Sequence, residues 1–293
     1  MSSLFVSKLR LFFQVTKPGI SRAQVLTVSI GYFLAKQSLS LDSVFFVLIG
    51  ATYLLSSAAC IANNLIETQY DAQMERTKHR ALPSQVMKPK YAIVMMALFF
   101  LMGLYFVSKI NVLTVLVSML TVFIYVGLYT PLKRLSWTNT LVGALPGALP
   151  LLGGWVATGT PIHLSVIALT FTLFSWQMPH FYALAIMYYD DYKVAGFKML
   201  PIGDVAFRST KRQVLLFTVL MVISSVCPYF IGFLSDVYFF GIIIVSFVFI
   251  FLVIRFLNEF NKINARKLFF LSITYLPLWF FLILLDIVLG AGT

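Results

Sequence analysis

Nine apolar windows, each about long enough to cross a bilayer, divide this chain almost from end to end. They fall near Ile20–Ala35, Ser43–Leu65, Tyr91–Ser108, Asn111–Tyr129, Thr138–Thr158, His163–Met187, Val214–Leu234, Tyr238–Leu257 and Phe269–Leu289. About 20 apolar residues in a helix span the hydrocarbon layer. Only 11% of the 293 residues are charged and 60% are apolar, with a mean hydropathy of +0.92. A soluble domain would carry about 25% charged residues. The expected fold is therefore all-α, a polytopic membrane protein of about nine transmembrane helices. Residues 1–293 form one transmembrane domain, because the spans leave little chain for a soluble one.

Charge tests the count. Of the 22 Lys and Arg, 20 fall in the N-terminal segment and the second, fourth, sixth and eighth loops. Only Lys36 and Lys109 fall on the other side. Basic residues collect in cytoplasmic loops, so the N-terminus is expected to be cytoplasmic and the C-terminus outward. The same rule accounts for the net charge of +12 without nucleic acid. The basic, amphipathic stretch 1–17 precedes the first apolar run and is not read as a cleavable signal. Cytoplasmic cap loops at about 66–90 and 188–213 carry acids as well as bases, which topology does not require. The pattern of apolar helix, acids and basic loop occurs twice, a weak echo that fits two halves facing a central cavity.

The first acidic stretch runs from Asn63-Asn64 to Glu75-Arg76-Thr77. On a helix, Asn64, Glu67, Asp71 and Glu75 are spaced 3, 4 and 4 and share one face. An amide and carboxylates at this density suit Mg²⁺, a hard cation held by one or two carboxylates plus substrate phosphates. Arg76, Lys78 and Arg80 follow at once and can clamp phosphate oxygens. The alternative from spacing alone is a solvated helix end laced with ion pairs.

The second stretch holds Trp176-Gln177-Met178-Pro179-His180-Phe181, then Tyr188-Tyr189-Asp190-Asp191-Tyr192. His180 and Asp191 lie about three helical turns apart and share a face if the helix continues. An ionisable residue inside an apolar window is a functional candidate; its alternative is a neutral histidine bonded to a neighbouring helix. In the fifth span, Gly143, Gly147, Gly153 and Gly154 permit close packing, while Pro146 and Pro150 permit a kinked wall. Cys60 and Cys227 give no disulfide framework, and His79 and His163 read as surface residues.

At these residues the chain resembles the UbiA superfamily of intramembrane prenyltransferases and, within it, the heme O synthases. The likeness runs from Thr16-Lys17-Pro18-Gly19 through the first acidic motif, Tyr129-Thr130-Pro131-Leu132-Lys133-Arg134 and the Gly/Pro span. It ends at Trp176–Phe181, Asp191-Tyr192 and Met199-Leu200-Pro201. The acidic motif is common to the superfamily, whereas Trp-Gln-Met-Pro-His is much more specific to the heme O synthases. The resemblance implies helices around a cavity open to the membrane, with farnesyl diphosphate and heme B as substrates. It implies Mg²⁺ on Asn64, Glu67, Asp71 and Asp191, which carry catalysis, and diphosphate on Arg76, Lys78, Arg80, Lys133 and Arg134. It places heme near His180 and Trp176. Glu67 stands where the family commonly has Asp, and Gln69 where a further acid is often found.

These implications make the chain an enzyme of the cell inner membrane, embedded in lipid, that farnesylates heme B with addition of water. Heme–copper oxidase assembly or heme A synthase are the protein partners such an enzyme is expected to meet. A prenyltransferase acting on a quinone precursor shares the acidic motif but has no use for the Trp-Gln-Met-Pro-His segment. A membrane transporter would carry its charged groups near the midplane, whereas these acids lie at helix ends.

Overall fold

The computed structural model describes residues 11–290, and secondary structure among them is entirely helical. Lys8 and Arg10 of the basic N-terminal segment lie outside the described residues. A short helix over residues 11–16 leads into α1 (Pro18–Lys36), α2 (Ser43–Asp71), α3 (Pro89–Ser108) and α4 (Val112–Phe123). A π turn (Ile124–Tyr129) joins α4 to α5 (Thr130–Leu135). There follow α6 (Asn139–Ala157), α7 (Leu164–Met187), the short α8 (Tyr189–Val194) and α9 (Leu200–Gly203), then α10 (Arg208–Phe230), α11 (Asp236–Asn258) and α12 (Lys262–Gly290).

Each apolar window holds a helix, but only seven are both long and apolar enough to cross a membrane unaided. The two that fall short among the nine expected spans are α1 and α7. Their polar residues face protein rather than lipid. Thr172, Ser175 and Gln177 of α7 are buried, as are Ser21, Thr27 and Ser29 of α1. By contrast α3 and α4 show lipid a nearly unbroken apolar surface that includes Val94, Leu98, Leu101, Leu116 and Phe123.

Consecutive long helices pack together, and α12 closes the bundle by packing on both α1 and α7. The central core joins α1, α6, α7, α10, α11 and α12 around Tyr32, Tyr182, Tyr238, Phe249, Tyr275 and Trp279, all fully buried. Glycine makes the α1–α6 seam possible. A Cβ on Gly31 would lie 1.9 Å from the Leu151 carbonyl oxygen, and one on Gly154 would lie 1.9 Å from that of Val28. Close backbone approach through small residues replaces the hydrophobic drive that lipid cannot supply. Pro150 lacks the N–H that would satisfy the Pro146 carbonyl, and Gln24 Nε2 donates to that carbonyl at 3.4 Å.

At the weakly basic end, side chains start the helices. Asp42 caps α2, Asn111 caps α4 and His163 caps α7 through Ser165 N–H. Such caps satisfy the first free N–H groups of a helix. His163 thus has a structural task, and its ring stacks on Phe233.

Candidate active site

At the strongly basic end, α2 runs on past its apolar window to Asp71. That extension carries the polar face. Asn64, Glu67 and Asp71 all lie on it and all are buried, at 4, 5 and 3% exposure. Glu75 does not join them. The helix stops at Asp71 and the chain turns through residues 72–88, so Glu75 is exposed and pairs with Lys78 at 2.6 Å.

Buried carboxylates are costly unless paired, and each here has a base from elsewhere in the fold. Lys133 Nζ stands 2.7 Å from Glu67 Oε1, and Arg80 Nη1 lies 3.4 Å from Asp71 Oδ2. A third base, Lys17, donates to Asn63 Oδ1 at 2.8 Å, and Asn63 donates onward to Thr130 Oγ1 at 3.1 Å. Burial lowers the Lys17 ammonium to about 8, and the neighbouring Lys133 and Arg80 push it the same way. Three bases so close raise the local positive potential, which favours an anion.

Lys133 reaches this cluster because of the π turn before it. The Thr130 hydroxyl donates to the Tyr125 carbonyl within that turn at 2.8 Å, and Tyr129 packs into the space left by Gly143. Lys198 N–H donates to the Lys133 carbonyl at 2.6 Å and fixes α5 from the other side. The Lys133 ammonium lies 4.6 Å from the Tyr129 ring centroid. A cleft of about 390 Å³ opens beside it, lined by Glu67, Tyr70, Thr130, Arg134 and Phe197 among others. Arg134 stacks on Tyr70 at 4.3 Å and donates to its hydroxyl. A second cleft, of about 430 Å³, shares Ile66 and Gln69 with the first, lies against Leu82 and Pro83 and touches none of the three face residues.

The second motif takes a different form. The helix does not continue from His180 to Asp191, because Tyr188 (φ −112°, ψ 34°) breaks it and α8 begins anew. Asp191 instead accepts the backbone N–H groups of Glu75 at 3.1 Å and Arg76 at 3.3 Å. The Arg76 guanidinium lies over Tyr188 at 4.4 Å and donates to the Tyr192 hydroxyl at 3.2 Å. Asp190 is exposed and pairs with Lys262 at 2.8 Å, which holds its carboxyl below the usual range. Asp191 is thus brought to the loop that follows the first motif, not into a cluster with Glu67 and Asp71. Among the described residues no three His, Cys, Asp or Glu side chains gather to hold a metal by themselves.

His180 sits higher in α7, half-buried, with its ring between Trp176 (centroids 5.2 Å) and Phe269 (4.7 Å). Gln177 points the other way and donates to the Ala144 carbonyl at 2.9 Å, over Gly147. Of the expected site residues, then, Asn64, Glu67, Asp71, Arg80 and Lys133 come together. Arg76, Arg134 and Asp191 line the approach, Lys78 turns outward, and Trp176 and His180 form a separate aromatic group. Lys17, which the sequence offers as N-terminal charge and as part of the Thr16-Lys17-Pro18-Gly19 likeness, is not among the expected site residues. Its place directly before Pro18, which starts α1, is the signal that fixes it at the site.

The UbiA prenyltransferase family model matches residues 25–283. The chain belongs to this family. A curated relative, the protoheme IX farnesyltransferase of Christiangramia forsetii, is 35% identical over 279 residues, covering 94% of this chain and 92% of that one. A solved structure of a digeranylgeranylglyceryl phosphate synthase superposes with a TM-score of 0.80 at 18% identity, covering 96% of this chain and 99% of that one. A UbiA homolog from Archaeoglobus fulgidus bound to DMAPP and Mg²⁺ gives 0.67 at 15%, covering 93% and 98%. This UbiA-family chain is a multi-pass membrane enzyme, a prenyltransferase, as the sequence motifs led us to expect.

Proposed function

We propose that the protein transfers the farnesyl group of farnesyl diphosphate to a vinyl group of heme B, with addition of water, giving heme O. The observation that carries the prenyl chemistry is the buried Asn64–Glu67–Asp71 face beneath Lys17, Arg80 and Lys133. The acceptor rests on near full-length similarity to a relative named protoheme IX farnesyltransferase and on the Trp176–His180 segment.

The donor set fits Mg²⁺. Its atoms are all oxygens, and Asn64 Oδ1 is buried with no hydrogen-bond partner, which is costly unless a ligand takes it up. Asn64, Glu67 and Asp71 would hold the ion, leaving its other positions to water and diphosphate oxygens. When bound, Mg²⁺ neutralises charge on the diphosphate. Asp191 is the candidate for a second site, reached once it releases the Glu75 and Arg76 N–H groups.

Lys17, Arg80 and Lys133 are placed to take the negative charge that grows on the leaving diphosphate. The allylic cation left behind needs shelter from water, and the apolar interior supplies it. The heme vinyl group adds to that cation and passes the charge to the carbon beside the porphyrin, where water captures it as a hydroxyl. The enzyme works in the cell inner membrane, with its basic end in the cytoplasm by the distribution of Lys and Arg.

The test is direct. Purified protein incubated with heme B, farnesyl diphosphate and Mg²⁺ should yield a heme heavier by one farnesyl group plus water, seen by mass spectrometry. A heme recovered unchanged under conditions where farnesyl diphosphate binds would refute the acceptor assignment.

A further inference from the structure

The aromatic group around His180 contains a polar chain that settles where the ring carries its proton. His180 Nδ1 lies 2.7 Å from Ser272 Oγ on α12, and that oxygen lies 2.6 Å from the Phe269 carbonyl oxygen one turn earlier. A carbonyl can only accept. The serine proton must therefore go to Phe269, since otherwise two acceptors would face each other at 2.6 Å without a hydrogen between them. Ser272 Oγ is then left to accept from the ring, which carries its hydrogen on Nδ1. Among the described residues no hydrogen bond reaches Nε2, which keeps its lone pair. A half-turn of the ring would keep its stacking on Trp176 and Phe269 but put a carbon opposite Ser272 Oγ, so the hydrogen bond at Nδ1 fixes the ring as it stands, and Trp176 is itself pinned by donating Nε1–H to the Ser272 carbonyl at 3.0 Å.

We propose that Ser272 is a positioning residue that holds His180 as the Nδ1–H tautomer and so presents Nε2 as a ligand to the iron of the heme substrate. The inference deepens the heme-acceptor reading and rests on it. A histidine that ligates a metal commonly donates its other ring N–H to a fixed acceptor, which sets its tautomer and orientation. Here the acceptor is a fully buried hydroxyl on the last helix, 92 residues away in sequence. The helix that closes the bundle would thereby also set the position of the acceptor substrate.

The experiment uses the full-length protein in detergent, titrated with ferric heme B and followed by its Soret band, with farnesyl diphosphate binding measured in parallel. Ser272→Ala should weaken heme binding by about tenfold and shift the Soret band, while Ser272→Thr, which keeps the hydroxyl, should behave as wild type. Farnesyl diphosphate binding should be the same in all three, which separates positioning from misfolding. Nitrogen-15 NMR of labelled histidine, with the His180 signal assigned by its loss in His180→Ala, should find Nδ1 protonated and Nε2 bare in the wild type. Wild-type heme binding by Ser272→Ala, equal loss in Ser272→Thr, or a proton on Nε2 would each overturn the proposal. If Ser272→Ala fails to fold, the NMR measurement on the wild type decides alone. An unchanged Soret band in His180→Ala overturns ligation even if heme O is formed. Failure to form heme O, by contrast, removes the acceptor reading itself.

Discussion

The two acidic motifs occupy matching places at the ends of α2 and α7, yet they have opposite surroundings. In the first, the polar face is buried and each carboxylate meets a base, Glu67 the distant Lys133 and Asp71 the Arg80 of the following loop. In the second, the helix breaks, Asp190 faces solvent, and Asp191 fastens a loop by its backbone. Burial decides what the same residue type does. Low dielectric makes the first motif a strong electrostatic site and leaves the exposed ion pair of the second worth little. The duplicated pattern in the sequence therefore describes one site and its latch.

The largest expected difference is in turnover. Asp71→Ala should lower heme O formation by about a hundredfold or more while the protein stays folded in membranes. Normal product formation by that variant would remove the metal assignment and with it the contrast. Next comes charge at Lys17. Its ammonium is depressed to about 8 by burial, so it is protonated below that pH and neutral above it. Farnesyl diphosphate affinity should fall as pH rises through about 8, by about tenfold for one lost charge-assisted hydrogen bond. Lys17→Met should bind weakly at all pH and show no such step; a step that persists in Lys17→Met would assign it elsewhere.

On the second motif the effects should be smaller and of a different kind. Asp191→Ala removes the acceptor for two backbone N–H groups and should raise hydrogen exchange at Glu75 and Arg76 by about tenfold. Unchanged exchange there would mean the latch does not hold the loop. Asp190→Asn should do least. Its partner Lys262 is exposed and such pairs are screened by salt, so melting in detergent should match wild type at low and high ionic strength.

Much of the fold was legible because lipid enforces it. Every apolar window contains a helix, since a backbone in hydrocarbon has few other ways to satisfy itself. The windows end too early where a helix runs on through polar residues, as at 66–71, or begins with them, as at Lys262, because hydropathy sees only the apolar part. The Asn64–Glu67–Asp71 face was legible from its 3 and 4 spacing. Glu75 was not separable from it, as nothing in the pattern announces the turn after Asp71. The long-range partners were hidden as well. Asp191 meets Glu75 across 116 residues of sequence, and Lys133 meets Glu67 only after the π turn has reoriented α5.

That π turn makes the site sensitive to how the backbone is wound as well as to composition. A π turn takes up about one residue more than the α-helix it replaces, and one residue corresponds to about 100° of rotation. If residues 124–129 relaxed to an ordinary helix with none removed, the extra residue would swing Lys133 about a quarter turn away from Glu67; removing one residue as well would cancel the swing. No charged residue would have changed, and the apolar span would still be long enough. In this stretch the position of Lys133 depends on the winding of the backbone, held by the Thr130–Tyr125 hydrogen bond and by Tyr129 against Gly143.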